Sequence, residues 1–186
     1  MINYKTAKNI LIKSKINIKD EIIDSSKSLN RVNVTDVYSS VNYPAGTNAA
    51  FDGFAINSKD TIKLNKQKFI EFKILKSISA GDNPKLNKVK KFQTVEVMTG
   101  ALIPKFFDTI IPIEKVSFNK KRKSILINKK IKKNQHIRYV GSDYKKKDLI
   151  INKGTIIQSS HILAFKTVGI KNIKVKKKPN ILFFST

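Results

Sequence analysis

One carboxylate stands out because of the small and apolar residues around it. Asp52 lies within the stretch Asn48–Ile56 and is followed directly by Gly53. An Asp-Gly pair turns a chain sharply, since glycine tolerates positive φ and aspartate hydrogen-bonds to nearby backbone. The pair therefore predicts a hairpin turn, for which Asp-Gly is a common signal. The alternative is a carboxylate at the edge of packed structure, outside any solvated loop.

A hydroxyl and a glycine at the end of a predicted strand form a second candidate site. The strand begins at Val95, and Thr99 and Gly100 follow its β-branched residues. Hydroxyl and backbone N–H groups gathered at such an end can hold an oxyanion or a phosphate. The simpler interpretation is a strand that stops at a turn. Further along, Asp143 could be a turn residue beside Gly141, and Arg138 could form a surface ion pair with it.

Several short segments occur together in the order and at the spacing of one known family. They are Phe51–Ala55, Ser79–Asp82, Met98–Ala101 followed by Pro104, Asp108 and Glu114, and then Ile137-Arg138 and Gly141–Asp143. The series resembles molybdopterin molybdenumtransferase, the enzyme that inserts molybdate into adenylylated molybdopterin and a relative of gephyrin's C-terminal part. The resemblance covers nearly the whole chain. The chain departs from the family where Ala49, Phe51 and Phe54 stand in place of the usual Ser, Met and Tyr. It also departs at Asp148, where the family tends to have Gly.

The resemblance implies roles for eight residues. Those expected to act in catalysis are Asp52, Thr99 and Asp143. Those expected to contact the substrates, molybdate and adenylylated molybdopterin, are Gly53, Gly100, Arg138, Gly141 and Ser142. Asp52 is the expected Mg²⁺ ligand, Thr99 the donor to an oxyanion and Asp143 a second acid. The resemblance also implies a homodimer with a shared active site, and partnership with other proteins of molybdenum cofactor biosynthesis.

The net charge of +25 is the most prominent feature of the composition. Only Arg31, Arg122 and Arg138 are arginines, and lysine supplies the remaining positive charge throughout the chain. Arginine is the usual residue for bidentate contacts to bases and phosphates. We therefore expect attraction of anions and only non-specific binding of nucleic acid. The alternative functions are a basic, non-catalytic nucleic-acid-binding module and a scaffold.

The composition also limits the cellular setting and the kinds of metal site. The chain has no cysteine and only two histidines, His136 and His161, so disulfides and thiolate metal sites are excluded and a zinc site is not indicated. The absence of cysteine fits a cytoplasmic protein. No apolar run approaches the length that a membrane-spanning helix needs, so we expect no membrane partner.

The pattern of residues predicts a mainly β protein with flanking helices. Short β-rich runs separated by turn signals favour a compact all-β barrel or sandwich, and the resemblance implies a barrel-like domain. These runs are Phe51–Ile56, Phe69–Ser79, Val95–Thr99, Thr109–Phe118, Ser124–Asn128 and Gln135–Val140. Helical patterns occur at Met1–Lys15 and at Gln158–Val168, the second capped by Ser159 or Ser160, and Ser25–Leu29 offers N-cap residues for a short helix.

The predicted domain organisation is an insertion. The β-barrel-like domain covers residues 41–147 and interrupts a small α/β linker domain at 25–40 and 148–175. Residues 1–24 hold an N-terminal helix that is expected to pack on a missing α/β domain. Residues 176–186 contain the apolar run Ile181–Phe184, which predicts a buried strand of a parallel sheet. The resemblance places the first strand of the molybdopterin-binding domain here, so we expect the N-terminal portion of a longer enzyme.

Overall fold

The computed structural model describes residues 2–14, 17–64, 69–182 and 184. The chain divides into two compact units. We call Val41–Lys146 the inserted unit, because its chain interrupts the other one. We call Met1–Ser40 with Lys147–Thr186 the split unit.

The described residues form mainly short strands, with two α-helices and three 3₁₀ turns. The strands are β1 (Asp20–Asp24), β2 (Val37–Tyr38), β3 (Asn48–Ala49), β4 (Gly53–Ile56), β5 (Ile70–Ile78), β6 (Gln93–Val97), β7 (Thr109–Pro112), β8 (Ser117–Phe118), β9 (Ser124–Ile127), β10 (Ile137–Arg138), β11 (Leu149–Ile151) and β12 (Asn172–Lys176). The helices are α1 (Tyr4–Lys13) and α2 (Ser159–Thr167), and the 3₁₀ turns are Ser25–Lys27, Ser58–Thr61 and Ile113–Lys115. The prediction of a mainly β protein with flanking helices is confirmed.

The inserted unit is built around a six-stranded sheet. Its strand order is β7-β4-β6-β5-β9-β8, and β5 with β6 is the parallel pair of this sheet. Strand β4 is buried along its whole length and separates two apolar clusters. Phe54 and Ile56 pack into one cluster, while Ala55 packs into the other. This alternation follows from the two-residue period of a strand, which sends successive side chains to opposite faces.

The split unit has a small core of its own. Strand β1 pairs with β12 and β2 pairs with β11, both antiparallel. Phe165 of α2 is fully buried against Ile157 and Val175. Helix α2 begins one residue earlier than the predicted serine caps allow, because its N-cap is Gln158. The N–H of Gln158 donates to Nδ1 of His161 at 3.0 Å, and this completes the capping box.

Two predicted strands are wrong in part. The run Thr109–Phe118 is not continuous, since β7 ends at Pro112 and a 3₁₀ turn separates it from β8. Proline favours such a break because it lacks an N–H for the ladder. The predicted strand Ile181–Phe184 is not formed at its described positions, where the side chains are exposed; Phe183 lies outside the described residues.

Helix α1 forms within the predicted Met1–Lys15 segment, capped by the side chain of Asn3, and none of its residues is buried. Among the described residues, neither helix has the length and apolar character needed to cross a membrane.

Candidate functional site

The pairing of β4 with β6 brings two of the predicted residues together. Gly53 lies opposite Val97 in an antiparallel register. The residue before Gly53 therefore meets the chain that continues beyond Val97. Asp52 Oδ1 accepts the backbone N–H of Thr99 at 2.6 Å and the Thr99 hydroxyl at 2.7 Å. The two residues form one unit although 47 positions separate them in the chain.

The Asp-Gly pair is not a hairpin turn. Within the described chain β4 pairs with β6 and β7, and β3 pairs with β10, so the hairpin interpretation is wrong. Gly53 is needed for a different reason, which is the close approach of β7. A Cβ at this position would lie only 2.1 Å from the carbonyl oxygen of Ile111. Glycine thus lets β4 enter the sheet immediately after the carboxylate of Asp52.

Short strand β3 holds the turn that contains Thr99. The N–H of Gly100 donates to the carbonyl of Ala49 at 2.9 Å, and Ala49 N–H donates to the carbonyl of Ala101 at 2.9 Å. Gly100 has φ +83°, a conformation that most side chains disfavour. The strand end and the turn are therefore fixed by backbone contacts, and the position of Thr99 follows from them.

The hydrogen bonds from Thr99 set the charge state of Asp52. The Thr99 hydroxyl, and after it the Thr99 backbone N–H, lower the pKa of Asp52 below its ordinary value. Both donors favour the ionised carboxylate. Oxygen Oδ1 receives both bonds, and Oδ2 has no partner in the described part of the chain. Asp52 therefore presents an ionised, exposed carboxylate with one oxygen anchored and the other open.

Arg138 and Asp143 form an ion pair. Arg138 Nη2 lies 2.7 Å from Asp143 Oδ2, and the two side chains are 46% and 40% exposed. The hydroxyl of Ser142 donates to the other carboxylate oxygen of Asp143 at 3.1 Å. Gly141 turns the chain with φ +70°, and its N–H donates to the carbonyl of Pro44. A guanidinium has five N–H donors, so Arg138 keeps donors for an anion while it is paired.

Asp143 is not bonded to the other two predicted catalytic residues. No hydrogen bond or ion pair joins it to Asp52 or Thr99 in the part of the chain that the structure describes. Strand β3 connects the two pairs, since the turn after Thr99 bonds to Ala49 and Arg138 lies opposite Asn48. The site is thus two pairs held on one short strand.

A metal ion would find only part of its coordination shell in this chain. Across residues 2–14, 17–64, 69–182 and 184, no group of three or more His, Cys, Asp or Glu side chains is placed to hold a metal ion. The free Oδ2 of Asp52 fits a single ligand to Mg²⁺, which commonly binds through one or two carboxylates plus substrate phosphates and water. The remaining ligands would have to come from substrate or from another chain segment.

The departures from the family pattern differ in their surroundings. Ala49 and Phe54 are buried in the inserted unit, at 1% and 0% exposure. Phe51 is half exposed, and its ring meets the ring of His136 edge-on at 5.0 Å between centroids. Sequence reasoning missed this aromatic pair. No local pattern signals it, because 85 positions separate the two residues along the chain.

An open groove of about 480 Å³ lies between the segments that follow β5 and β6. Because β5 and β6 are parallel, the segments that follow them begin at the same end of the sheet. Leu86, Leu102 and Phe106 line it with apolar surface, and Lys85 and Lys105 add positive charge. The chain after Thr99 therefore borders space for a ligand, which the sequence does not indicate.

The fold and site define a mainly β protein that holds an ionised aspartate against a threonine in the turn after β6. The sequence profile described as "MoeA N-terminal region (domain I and II)" matches residues 2–169. This chain belongs to the MoeA N-terminal family.

Relatives of known name agree with this membership. A molybdopterin molybdenumtransferase from Staphylococcus epidermidis is 28% identical over 185 residues, covering 100% of this chain and 43% of the relative. One from Staphylococcus aureus is 32% identical over 161 residues, covering 86% of this chain and 38% of the relative. This chain thus spans about two-fifths of the length of the curated relatives it matches.

Solved structures agree as well. A crystal structure of the molybdopterin biosynthesis MoeA protein from Pyrococcus horikoshii OT3 superposes with a TM-score of 0.79 at 29% identity, covering 87% of this chain and 42% of that one. A second structure of the protein from this organism has a TM-score of 0.79 at 28% identity, covering 96% and 45%.

Proposed function

We propose that this chain is the N-terminal portion of a molybdopterin molybdenumtransferase, which inserts molybdate into adenylylated molybdopterin with Mg²⁺-dependent release of AMP. The chain spans about two-fifths of its relatives, so we expect it to be inactive when tested by itself. The observation that carries the proposal is the Asp52–Thr99 pair, found in a chain whose family is established.

Asp52 supplies the negative charge of the proposed site. Asp52 is ionised at neutral pH, its lowered pKa extends this charged state to more acidic conditions, and its Oδ2 can hold a ligand. When bound there, Mg²⁺ would neutralise charge on the phosphate linkage that must be cleaved. The exposed position of Asp52 suits a role opposite a second surface, and we propose that this surface is the α/β domain of a partner subunit in a homodimer.

We propose a positioning role for Thr99 in place of the expected donation to an oxyanion. A hydroxyl has one proton, and that of Thr99 is donated to Asp52. We therefore assign Thr99 the positioning of the carboxylate and the lowering of its pKa. Arg138, with donors beyond the one given to Asp143, is the proposed anion contact. Binding to other molybdenum cofactor biosynthesis proteins and a cytoplasmic location stay predictions.

A chimera tests the proposal. This chain would replace the matching N-terminal portion of the Staphylococcus epidermidis relative, and AMP release would be measured with and without molybdate. We expect molybdate-dependent release, and an approximately 100-fold loss in Asp52→Asn, the size found when one charge-stabilising group is removed.

The matched control is Asp20→Asn, which removes another exposed aspartate with a lowered pKa. The largest cause of the lowered pKa of Asp20 is its hydrogen bond with Lys176. This control should leave the rate of AMP release unchanged. If the Asp52→Asn chimera folds normally and releases AMP as fast as the unsubstituted chimera, Asp52 has no part in the mechanism. A chimera that folds without any molybdate-dependent release would contradict the proposed function itself.

A further inference from the structure

A small cavity lies beside β7, near the chain segment that carries Asp52. It has a volume of about 150 Å³ and an apolar floor that includes Ile110, Ile111 and Ile131. Its polar lining consists of Lys115, Lys129, Gln135 and His136. Two contacts connect the lining of the cavity to the segment that carries Asp52. Ile113 N–H, in the 3₁₀ turn after β7, donates to the Asp52 carbonyl at 3.0 Å, and the His136 ring contacts Phe51.

The polar lining provides donors and positive charge without a protein acceptor. Within the described chain, no hydrogen bond or ion pair engages the side chains of Lys115, Lys129 or Gln135. Among the residues that the structure describes, no aspartate or glutamate lines the cavity. Two ammonium groups and an amide can together donate up to about eight hydrogen bonds, and neither ammonium group can accept one. The group that complements this lining is therefore an anion.

The backbone that presents these side chains is held in place. Asn134 N–H donates to the Asp108 carbonyl at 2.8 Å, and Ile110 N–H donates to the Gln135 carbonyl at 3.0 Å. The His136 carbonyl accepts the N–H of Ala50 at 3.0 Å. Asn134 and His136 both have positive φ, at 65° and 58°, and this winds the segment back onto β7. A preformed site avoids the cost of ordering a loop when a ligand binds.

The apolar floor distinguishes this cavity from an ordinary pair of surface lysines. Ile110 and Ile111 are 1% and 4% exposed, so one wall of the cavity is packed protein interior. Attraction between charges is stronger next to such a wall than in open water, where salt screens it. Since a water occupies about 30 Å³ in the liquid, the space has room for a small anion with a few waters.

We infer that this cavity binds a small tetrahedral oxyanion, held by Lys115 and Lys129 with Gln135 and His136 beside it. In the longer enzyme it would concentrate molybdate next to Asp52, and this second part rests on the proposed function. The phosphate group of a nucleotide has related chemistry, so the experiment must separate the free oxyanion from the phosphate ester.

The two histidines make a direct measurement possible. The imidazole NMR signals of the full chain would be followed while sodium molybdate is added at constant ionic strength. We expect the His136 signals to shift saturably and those of His161, which caps α2 in the split unit, to stay in place. Sulfate should compete with molybdate. Equal shifts with sodium chloride, no shift of His136, or a shift produced by AMP but not by molybdate would each overturn the inference.

Three lysine variants locate the site. Lys115→Ala and Lys129→Ala should each weaken the apparent molybdate affinity by about two- to fivefold, as expected for one partly exposed ion pair. Lys120→Ala, at the tip of the β8–β9 hairpin, should leave it unchanged. Equal losses in all three variants would mean that molybdate responds only to net charge, and the inference would fail.

The same measurement separates this inference from the proposed function. Asp52→Asn should leave the molybdate-induced shift of His136 intact, even where it abolishes turnover in the chimera. Turnover by the chimera without any His136 shift in the unmodified chain would retain the proposed function and contradict oxyanion binding in the cavity. A normal His136 shift without turnover by the chimera would retain the cavity as an oxyanion site and contradict the proposed function.

Discussion

Thr99 donates both its backbone N–H and its hydroxyl to a single oxygen of Asp52, at 2.6 and 2.7 Å. Two donors on one oxygen fix the carboxylate and leave the second oxygen for other partners. The pairing arises because β4 begins opposite the point where β6 ends. The contact between Asp52 and Thr99 therefore depends on the register of β4 against β6. Substitutions at either residue can test what each contributes.

The Thr99 hydroxyl should control the pKa of Asp52. Thr99→Val keeps the backbone donor and a similar volume but removes the hydroxyl, the larger cause of the lowered pKa. We expect the pKa of Asp52 to rise toward its ordinary value in this variant, and Thr99→Ser to restore the lowered pKa. The measurement is an NMR titration of the Asp52 carboxyl carbon. An unchanged pKa in Thr99→Val would show that the hydroxyl bond is not formed in solution.

Gly53→Ala should destabilise the inserted unit strongly. The new Cβ would lie 2.1 Å from the Ile111 carbonyl oxygen and 2.9 Å from the Pro112 Cα, and backbone atoms cannot move aside without distorting β7. We expect a loss of about 3 kcal/mol in the free energy of unfolding, the upper range for overpacking. Urea denaturation followed by circular dichroism would measure it.

Gly154→Ala is the matched control for this prediction. Gly154 has φ +81°, but in the described part of the chain no atom lies within 4 Å of the position that a Cβ would take. The control therefore carries only the cost of the left-handed conformation, about 1 kcal/mol. Equal destabilisation by both substitutions would contradict a specific contact between β4 and β7.

Acid should weaken the split unit in part through Asp24. The hydroxyl of Ser26, then its backbone N–H, lower the pKa of Asp24 to about 2. The unfolded chain therefore takes up this proton first, and the stabilisation is present above the unfolded pKa of about 3.9. It is lost as the pH falls toward 2. Asp24→Asn keeps a capping side chain without the charge, so its melting temperature should fall less than that of the unmodified chain between about pH 4 and 2. An equal fall in both proteins would exclude Asp24 as a source of the pH dependence.

Binding to nucleic acid should follow from charge alone. With a net charge of +25, the chain is expected to bind DNA of any sequence at low salt. Its affinity should fall at least about tenfold between about 50 and 200 mM salt, because binding releases counterions. Fluorescence anisotropy with two unrelated oligonucleotides would measure this. Salt-resistant binding that prefers one sequence would instead favour a nucleic-acid-binding module.

Local patterns in the sequence predict much of the secondary structure. The apolar run Phe54-Ala55-Ile56 marks β4. The predicted runs that end at Phe118 and begin at Ser124 mark the β8–β9 hairpin, in which Ser117 pairs with Leu126. The apolar period of Gln158–Val168 marks α2. These features depend on residues close together in the chain, so a pattern is sufficient to find them.

The relationships that build the site could not be predicted in this way. The contact between Asp52 and Thr99 depends on the β4–β6 register, and the need for Gly53 depends on how closely β7 approaches. The cavity beside β7 requires two residues with positive φ, Asn134 and His136, neither of which is a glycine. Each feature joins distant parts of the chain, where spacing in sequence carries no signal.

The central claim is that Asp52 and Thr99 act as one unit in catalysis. A double-mutant cycle on AMP release by the chimera tests it most directly, using Asp52→Asn, Thr99→Val and the two together. If Thr99 acts through Asp52, the double variant should be no slower than Asp52→Asn alone, because residues that form a unit are not additive. A double variant slowed by the product of the two single effects would contradict the account.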